Sequence, residues 1–377
     1  MLKIQEHIIK HGLNETVNKF KLNFKDCGHK IMLKYDQIES SNQYEEVHEA
    51  RGLVLEKNTW NILSMPFKRF FNYGDHYAPK LDEKRTVYLE KRDGTLIQVY
   101  WDKVISEWCV NTMFSEANEF ISVDNIKTDM TYKSLFLKKS IEYNSDLTFF
   151  DKDNTYIFEL TSPYNKVVVD YDKIELRLIG CRNLNDLIEY NFDELNAISK
   201  QIKIPLVENY EFNSIEDCLN SFYNYNDSFN FEGYVAFDGI NRVKIKNPAY
   251  VVVHLTKRNI NEIDLSKPYM FLDIVKQNEI DEFILSFPNT KDLINNMFDK
   301  YNRTLLHLNT IKSILGIPKI ITDKKEFANN IFTLLEEYNL DKNFSSVFFM
   351  LNENKFKSIE EFVRKMDNKK LFNLIKF

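Results

Sequence analysis

The spacing of apolar residues changes once along the 377-residue chain, near residue 255. Before that point, apolar residues form short runs or alternate with polar ones, as in strands, and a few helical stretches lie between them. After it, apolar residues recur every three or four positions over 273–287, 290–315, 323–338 and 358–365, which is typical of helices. We therefore predict an α+β domain over residues 1–255, followed by an all-α domain over 256–377.

Within the first domain, the pattern predicts individual elements. Residues 4–10 and 16–20 are predicted to form short helices, and 184–200 a longer one. The predicted strands are 30–35, 49–55, 96–101, 108–112, 156–163, 167–171, 176–181, 231–237 and 242–246. The pair 96–101 and 108–112 is expected to be antiparallel, so the domain should be built on antiparallel sheets.

The net charge excludes a protein that coats nucleic acid by charge alone. It is −6, with a sequence pI near 5.8, so any site for a polyanion must be a local patch. The stretch 242–258 is such a patch, because it contains no acidic residue. Lys244 and Lys246 lie two positions apart in a predicted strand, so they share a face. Their mutual repulsion favours an anion between them.

Cysteine usage and the N-terminal residues predict a compartment. Cys27, Cys109, Cys181 and Cys218 lack the spacing of a zinc site or a redox motif, so reduced thiols are expected. The first seven residues carry charges where a signal peptide needs an apolar run, and no later uncharged segment is long enough to span a bilayer. We expect a soluble, cytoplasmic, monomeric protein with no membrane partner.

The stretch from Glu90 to Leu96 contains a candidate nucleophile. It places Lys91 between carboxylates, directly after an apolar, strand-like approach. An ammonium group cannot attack phosphorus, so a nucleophilic lysine needs desolvation or nearby cations that favour the neutral amine. Asp93 could orient that amine, and Gly94 lets the backbone approach a ligand closely. By itself the pattern also fits an ordinary surface turn.

Two further carboxylates lie in predicted strands. Glu159 interrupts an apolar strand and should share a face with Ile157, so it is directed into a pocket or a polar seam. Glu232 precedes a glycine at the start of another strand. Burying such a carboxylate is costly without a partner. Read alone, the segment around Glu159 is equally compatible with an exposed edge strand.

Arginines beside aromatic residues supply candidate phosphate and base contacts. Arg51 begins a predicted strand, where it is either solvated or a forked donor to ribose or phosphate. Residues 65–73 place Lys68 and Arg69 among four aromatic side chains, including Phe70 and Phe71. Aromatic faces beside cations suit a purine base and its phosphates, although at least one of these phenylalanines should belong to the core.

In this order along the chain, four segments resemble motifs of the covalent nucleotidyltransferases, the superfamily of polynucleotide ligases and mRNA capping enzymes. They are 91–94, 158–159, 232–235 and 244–246. Residues 49–52, 68–72 and 158–163 narrow the resemblance to the RNA ligase 1 family of T-even phages, over roughly the first two thirds of the chain.

The resemblance implies an ATP-dependent, single-stranded RNA ligase on a nucleotidyltransferase fold. Lys91 would attack the α-phosphate of ATP and form a lysyl-AMP adduct. The AMP group would then pass to an RNA 5′-phosphate, and an RNA 3′-hydroxyl would displace AMP to join the two ends. The helical domain would select the RNA, with a cleaved tRNA as the candidate. The remaining implied roles are a Mg²⁺ ligand, with Mn²⁺ as a substitute ion, at Glu232, α-phosphate contacts at Lys244 and Lys246, and nucleotide contacts at Arg51, Arg69, Phe71, Glu90, Glu159 and Tyr250.

The chain departs from the family pattern at two positions. Arg69 stands where the family has lysine, and Met113 lies in a segment where the family carries a basic residue. Two alternatives remain open: a nucleotide- or RNA-binding module without turnover, and another polynucleotide ligase or a capping enzyme. A nucleophilic lysine argues against the first, and the helical residues after Lys246 argue against the second. Virus-encoded action in a host cytoplasm is also compatible with the resemblance.

Overall fold

The structure is a computed structural model that describes residues 1–123, 126–222, 230–256, 267–319, 321 and 323–375. It divides into two compact units, Met1–Val251 and Val252–Phe377, where the sequence predicted 1–255 and 256–377. Lys257 and Arg258 of the predicted cationic stretch lie outside the described residues. No helix in the described ranges is long and apolar enough to cross a membrane.

The first unit begins with an antiparallel sheet covered by short helices. Ile4, Ile8 and Phe20 of the helices pack against Ile31 and Leu53 of the strands, because each element is apolar on one face. The sheet order is β1-β2-β3-β4. The elements are α1 (Lys3–His11), α2 (Leu13–Phe20), β1 (Leu22–Asp26), β2 (Lys30–Tyr35), α3 (Glu45–Glu49), β3 (Arg51–Glu56) and β4 (Ile62–Ser64).

Besides a two-stranded antiparallel sheet, the rest of this unit forms two sheets of four and five strands, so the predicted antiparallel sheets are confirmed. One has the order β12-β11-β7-β8 and is antiparallel throughout. The other has the order β13-β6-β14-β15-β5, with a single parallel pair between β15 and β5. The strands are β5 (Phe71–Asn72), β6 (Val87–Glu90), β7 (Thr95–Asp102), β8 (Glu107–Asn111), β9 (Phe120–Val123), β10 (Ile126–Thr131), β11 (Asn154–Thr161), β12 (Glu175–Asn183), β13 (Asn209–Tyr210), β14 (Gly233–Phe237) and β15 (Arg242–Lys246). The helices are α4 (Tyr132–Glu142), α5 (Phe192–Ile202) and α6 (Ile215–Ser221), and α7 (Pro248–Thr256) begins in this unit.

Two glycines allow the site loops to approach neighbouring strands. A Cβ on Gly94 would lie 2.4 Å from the Leu160 carbonyl oxygen, so only glycine fits there. Gly233 has a φ of +139°, and a Cβ there would lie 2.2 Å from the Ile245 carbonyl oxygen. Larger residues would push the Lys91 loop away from β11, or the start of β14 away from β15.

Two sequence predictions in this unit are wrong. Residues 167–171 are not a strand, because the N–H groups of Val168 and Val169 donate to the Asp93 carboxylate instead of to a neighbouring strand. The predicted helix 184–200 begins only at Phe192, with Asn191 as its N-cap. Local apolar spacing could not distinguish these cases, because side-chain hydrogen bonds determined them.

The second unit is helical, as predicted. The long α10 packs against α8, α9, α11, α13 and α14 through buried residues that include Ile294, Leu308 and Ile311. The predicted helix 273–287 is interrupted at Asn278, which has a φ of 57°. The helices are α8 (Leu272–Gln277), α9 (Ile280–Ser286), α10 (Lys291–Leu315), α11 (Lys324–Glu337), α12 (Ser345–Asn352), α13 (Ile359–Lys365) and α14 (Asn368–Ile375).

Gly180 and Phe67 provide a test of the packing between the sheets. A Cβ on Gly180 would lie 2.3 Å from Cε1 of Phe67, so we expect Gly180→Ala to lower the free energy of unfolding by roughly 1 to 3 kcal/mol through overpacking. Urea unfolding followed by tryptophan fluorescence measures this, because Trp60, Trp101 and Trp108 all lie in the first unit. Combining Gly180→Ala with Phe67→Leu should cost less than the sum of the single changes. Additive costs would contradict the contact.

Candidate active site

A cavity of about 190 Å³ is formed by residues from three sheets of the first unit. Arg51 comes from β3, Lys91 from the loop after β6, and Glu159 from β11. Glu90 also lines the cavity, so four predicted site residues meet there. The other lining residues are Phe67, Phe70, Leu89, Arg92, Gly94, Leu96, Met113, Ile179, Val207, Val235 and Arg242.

The Lys91 amine forms an ion pair with Glu232. Its Nζ lies 2.5 Å from Oε1 of Glu232, and its backbone N–H donates to the Gly233 carbonyl at 2.8 Å. Strand β6 pairs with β14, with Glu90 opposite Tyr234, and this register brings Lys91 beside Glu232. The Glu232 side chain is only 6% exposed, so the ammonium compensates a carboxylate that would be costly to bury alone.

Burial sets the protonation of both carboxylates near the amine. It raises the pKa of Glu159 to about 8, while Lys91 and Arg51 act in the opposite direction. Burial also raises the pKa of Glu232, opposed by Lys91 and Lys246. Near the Lys91 amine, Glu159 and Glu232 therefore do not both ionise readily. Perturbed carboxyl groups around a lysine in a cavity are typical of functional sites.

Lys244 and Lys246 face the cavity from β15. Lys244 is the register partner of Val235, a residue that lines the cavity, and Lys246 is the partner of Gly233. Cross-strand partners share a face of the sheet, so both lysines extend towards Lys91 and Glu232. The Nζ of Lys244 lies 5.1 Å from the centre of the Phe70 ring, which is part of the cavity wall.

Arg51 presents an unused donor. Its guanidinium lies over Phe67 and Phe70, 5.9 Å and 5.4 Å from their ring centres. Its Nη1 is buried and has no hydrogen-bond partner. Buried donors are normally paired, and those that are not call for an explanation such as a missing ligand. The position is suited to a phosphate or ribose oxygen.

Asp93 anchors the loop and does not orient the amine as the sequence suggested. Its Oδ2 accepts hydrogen bonds from the N–H groups of Val168 and Val169, at 2.8 Å and 2.7 Å. Its Oδ1 accepts one from the Tyr250 hydroxyl at 2.8 Å. Tyr250 is buried, and this contact places it behind the Lys91 loop. It therefore supports the site through Asp93.

Arg69 and Phe71 do not line the cavity described here, although both were predicted as nucleotide contacts. The Arg69 guanidinium lies 4.2 Å from the centre of the Tyr35 ring, and its Nη1 is buried without a hydrogen-bond partner. Phe71 contacts the His48 ring edge to face. Phe70 lines the cavity instead, because consecutive residues of an extended segment point in opposite directions.

The sequence did not indicate the roles of Arg92 and Arg242 in the cavity wall. Arg92 forms ion pairs with Glu90 and Glu175, at 3.5 Å and 2.6 Å. Arg242 pairs with Glu189. Glu175 and Glu189 are far from these arginines in sequence, and no local pattern connects them. Among the residues that the structure describes, no group of three or more His, Cys, Asp and Glu side chains could hold a metal by itself.

The RNA ligase family profile matches residues 49–250, more than half of the chain. The chain belongs to the RNA ligase 1 family of T-even phages. The matched range contains every predicted site residue, from Arg51 to Tyr250. The elements that form the cavity are thus those of the family region.

Individual relatives of this family member are distant. An RNA ligase of Rhodothermus phage RM378 is 26% identical over 349 residues, which cover 76% of each chain. A protein of Autographa californica nuclear polyhedrosis virus, whose name provisionally assigns it polynucleotide kinase and RNA ligase activities, is 28% identical over 324 residues. That match covers 80% of this chain but 44% of the viral protein, so this chain spans less than half of that relative.

Solved structures are similar at a lower level. An archaeal ATP-dependent RNA ligase is 12% identical, with 90% of this chain and 91% of that chain covered, and has a TM-score of 0.47. A likeness at that score carries no inference about the activity of this family member.

The raised pKa of Glu159 predicts a pH-dependent stability. Between about pH 4.5 and 8 the folded protein keeps the Glu159 proton while the unfolded chain loses it, so this group destabilises the fold increasingly as pH rises. Glu159→Gln should therefore be more stable than the wild type at pH 8, by roughly 1 to 3 kcal/mol, and the gain should shrink towards pH 5.

Thermal melting of the protein without nucleotide at pH 5 and pH 8 measures this effect. Glu107→Gln is the matched control, because Glu107 is an exposed glutamate on β8 of the same sheet. A Glu159→Gln gain that does not depend on pH would contradict the prediction.

Proposed function

We propose that the protein is an ATP-dependent RNA ligase that joins a 5′-phosphate to a 3′-hydroxyl through a lysyl-AMP intermediate. The observation that carries this proposal is the Lys91 amine, held in a cavity beside Glu232 and opposite an Arg51 donor without a partner. Family membership and the names of the phage and baculovirus relatives support it. A binding module would not need the amine at this position.

In the first step, the Lys91 nitrogen attacks the α-phosphorus of ATP. A nitrogen–phosphorus bond forms, the bond from that phosphorus to the pyrophosphate oxygen breaks with its electron pair, and the amine proton passes to solvent. Lys244 and Lys246 stabilise the charge that develops on the α-phosphate, since they face the same side of β15. Once its nitrogen is bonded to phosphorus, Lys91 no longer carries the positive charge that paired with Glu232. The Glu232 carboxylate then needs another cation.

A divalent ion fits that requirement. Mg²⁺ usually binds one or two carboxylates together with substrate phosphates, so Glu232, with Glu159 nearby, is a sufficient protein contribution. When bound, Mg²⁺ or Mn²⁺ would neutralise phosphate charge and compete with the Lys91 ammonium for Glu232, which favours the neutral amine. Glu232 is the proposed ligand because it is the carboxylate nearest to the amine.

The remaining cavity residues bind the nucleotide. Glu159, which burial keeps largely protonated near neutral pH through its raised pKa, can donate to or accept from the ribose hydroxyls. Phe70 offers an aromatic face beside Lys244 and Arg51. Arg51 contacts the phosphates through its unpaired Nη1, and Arg69, which does not line the cavity itself, is a second proposed phosphate contact through its own unpaired Nη1. Glu90 lines the cavity beside Arg92, with which it forms an ion pair.

The later steps act on RNA. An oxygen of the RNA 5′-phosphate attacks the lysyl-AMP phosphorus, and the bond to Lys91 breaks. The RNA 3′-hydroxyl oxygen then attacks the activated 5′-phosphate and releases AMP. The helical unit, which exposes Lys369 and Lys370, selects the RNA, with a cleaved tRNA as the proposed substrate; Lys376 lies outside the described residues. The viral origin of two relatives supports a virus-encoded monomer in the host cytoplasm.

The covalent intermediate is directly testable. Wild-type protein incubated with ATP labelled on the α-phosphate and Mg²⁺ should retain label through denaturing electrophoresis, and Lys91→Ala should retain none, because the attacking nitrogen is gone. Lys80→Ala, which removes an exposed lysine from the same unit, should label like the wild type. Unlabelled wild type, shown to be free of bound AMP, would favour the non-catalytic binding module.

Substitutions of Phe70 and Phe71 test which of the two rings contacts the nucleotide. We expect Phe70→Leu to raise the KM for ATP in lysyl-AMP formation about threefold to tenfold, because it removes an aromatic face from the cavity. Phe71→Leu should leave that KM within about twofold while lowering thermal stability, since Phe71 is only 7% exposed. The opposite ranking of the two KM values would restore Phe71 as the nucleotide contact.

A further inference from the structure

Lys34 and Arg51 lie opposite each other on neighbouring strands. The pairing of β2 with β3 shifts after Leu33 and Leu53, so that Lys34 is the register partner of Arg51 and Gly52 is skipped. Direct partners of an antiparallel pair have Cα atoms roughly 4.5 to 5.5 Å apart and extend to the same face. The irregularity therefore places two cations side by side at the end of this sheet.

Neither cation forms an ion pair within the described residues, and Glu159 attracts Arg51 only at longer range. In the described part of the chain, Lys34 forms no ion pair or hydrogen bond, and its Nζ lies 5.9 Å from the centre of the Phe114 ring. Arg51 likewise forms no ion pair, and its buried Nη1 has no hydrogen-bond partner. Like charges opposite each other in a sheet are destabilising. An anion between the two groups would remove that repulsion.

Arg51 of this pair lines the active-site cavity, and Lys34 lies beside it on the neighbouring strand. Arg51 lines the cavity together with Met113, and Phe114, which Lys34 contacts, is the next residue. Met113 carries no charge. The cation beside Arg51 is therefore Lys34 of the neighbouring strand β2. The α-phosphate is already provided for by Lys244 and Lys246 on β15, a strand of a different sheet. Lys34 and Arg51, on β2 and β3, are therefore available for the β- and γ-phosphates.

We propose that Lys34, together with Arg51, binds the β- and γ-phosphates of ATP and stabilises pyrophosphate as it leaves. This inference rests on the proposed ligase function. When the Lys91 nitrogen bonds to the α-phosphorus, negative charge develops on the bridging oxygen of the departing pyrophosphate, and a nearby ammonium lowers the energy of that state. Sealing of RNA releases AMP and no pyrophosphate, so Lys34 acts in the first step alone.

The experiment compares the wild type with Lys34→Gln, Lys34→Arg and Lys25→Gln in the full chain. Lys25 lies on β1 of the same sheet and pairs with Glu119, which makes it a matched control away from the cavity. Lys34→Gln should slow lysyl-AMP formation and its reversal by added pyrophosphate, each by about tenfold or more. It should leave the sealing of RNA supplied already adenylated at its 5′ end within about twofold. Lys34→Arg should recover part of the loss because it keeps the charge.

Calorimetric titration with inorganic pyrophosphate makes the test independent of turnover. The pyrophosphate Kd should rise about fivefold or more in Lys34→Gln and stay unchanged in Lys25→Gln. Equal losses in all three reactions would assign Lys34 a structural role and overturn the proposal, and so would unchanged pyrophosphate binding and reversal. A wild type that forms no lysyl-AMP would instead refute the proposed function, and the titration would still decide whether Lys34 binds pyrophosphate.

Discussion

The ion pair between Lys91 and Glu232 is the interaction on which the site depends. It joins groups 141 positions apart in the sequence, and it exists because β6 and β14 are neighbours in one sheet. Neither partner could be buried to this extent alone, since an unpaired charge in a low-dielectric interior is strongly destabilising.

The position of the amine is fixed by a second set of contacts behind it. The Asp93 carboxylate uses both oxygens, on two backbone N–H groups of the 168–169 turn and on the Tyr250 hydroxyl. These bonds tie the loop after β6 to a segment after β11 and to α7. Gly94 completes the arrangement by letting the loop contact the Leu160 carbonyl. The Lys91 loop is therefore fixed both by the hydrogen bonds of Asp93 and by the close packing at Gly94.

Acidic and basic side chains lie on different sides of the Lys91 amine. On one side, burial raises the pKa values of Glu159 and Glu232, so both carboxyl groups favour protonation or a cation. On the other, Arg51 and Lys34 form no ion pair among the residues that the structure describes, and Arg51 attracts the Glu159 carboxyl only at longer range. A nucleoside polyphosphate with a divalent ion satisfies both sides at once. Its binding would resolve repulsions that the protein alone leaves in place.

The strand patterns predicted which residues share a face but not which strands are neighbours. Residues Lys244 and Lys246 were correctly expected on one side of a strand, and Ile157 and Glu159 on one side of another, because side chains alternate with period two. The pattern did not show that Phe70, and not Phe71, lines the cavity. That segment becomes a strand only at Phe71, and β5 has just two residues, so no periodicity could set its register.

By itself, the sequence determined the division into an α+β unit and a helical unit, since the periods of 2 and 3.6 are local properties of the chain. It also singled out Lys91 as the candidate nucleophile, because the surrounding motifs occur in a fixed order. Only the tertiary structure decided that Tyr250 donates to Asp93 of the Lys91 loop, and that Lys34 lies opposite Arg51. Those outcomes depend on hydrogen bonds and strand register between distant segments, where a shift of one residue changes every partner.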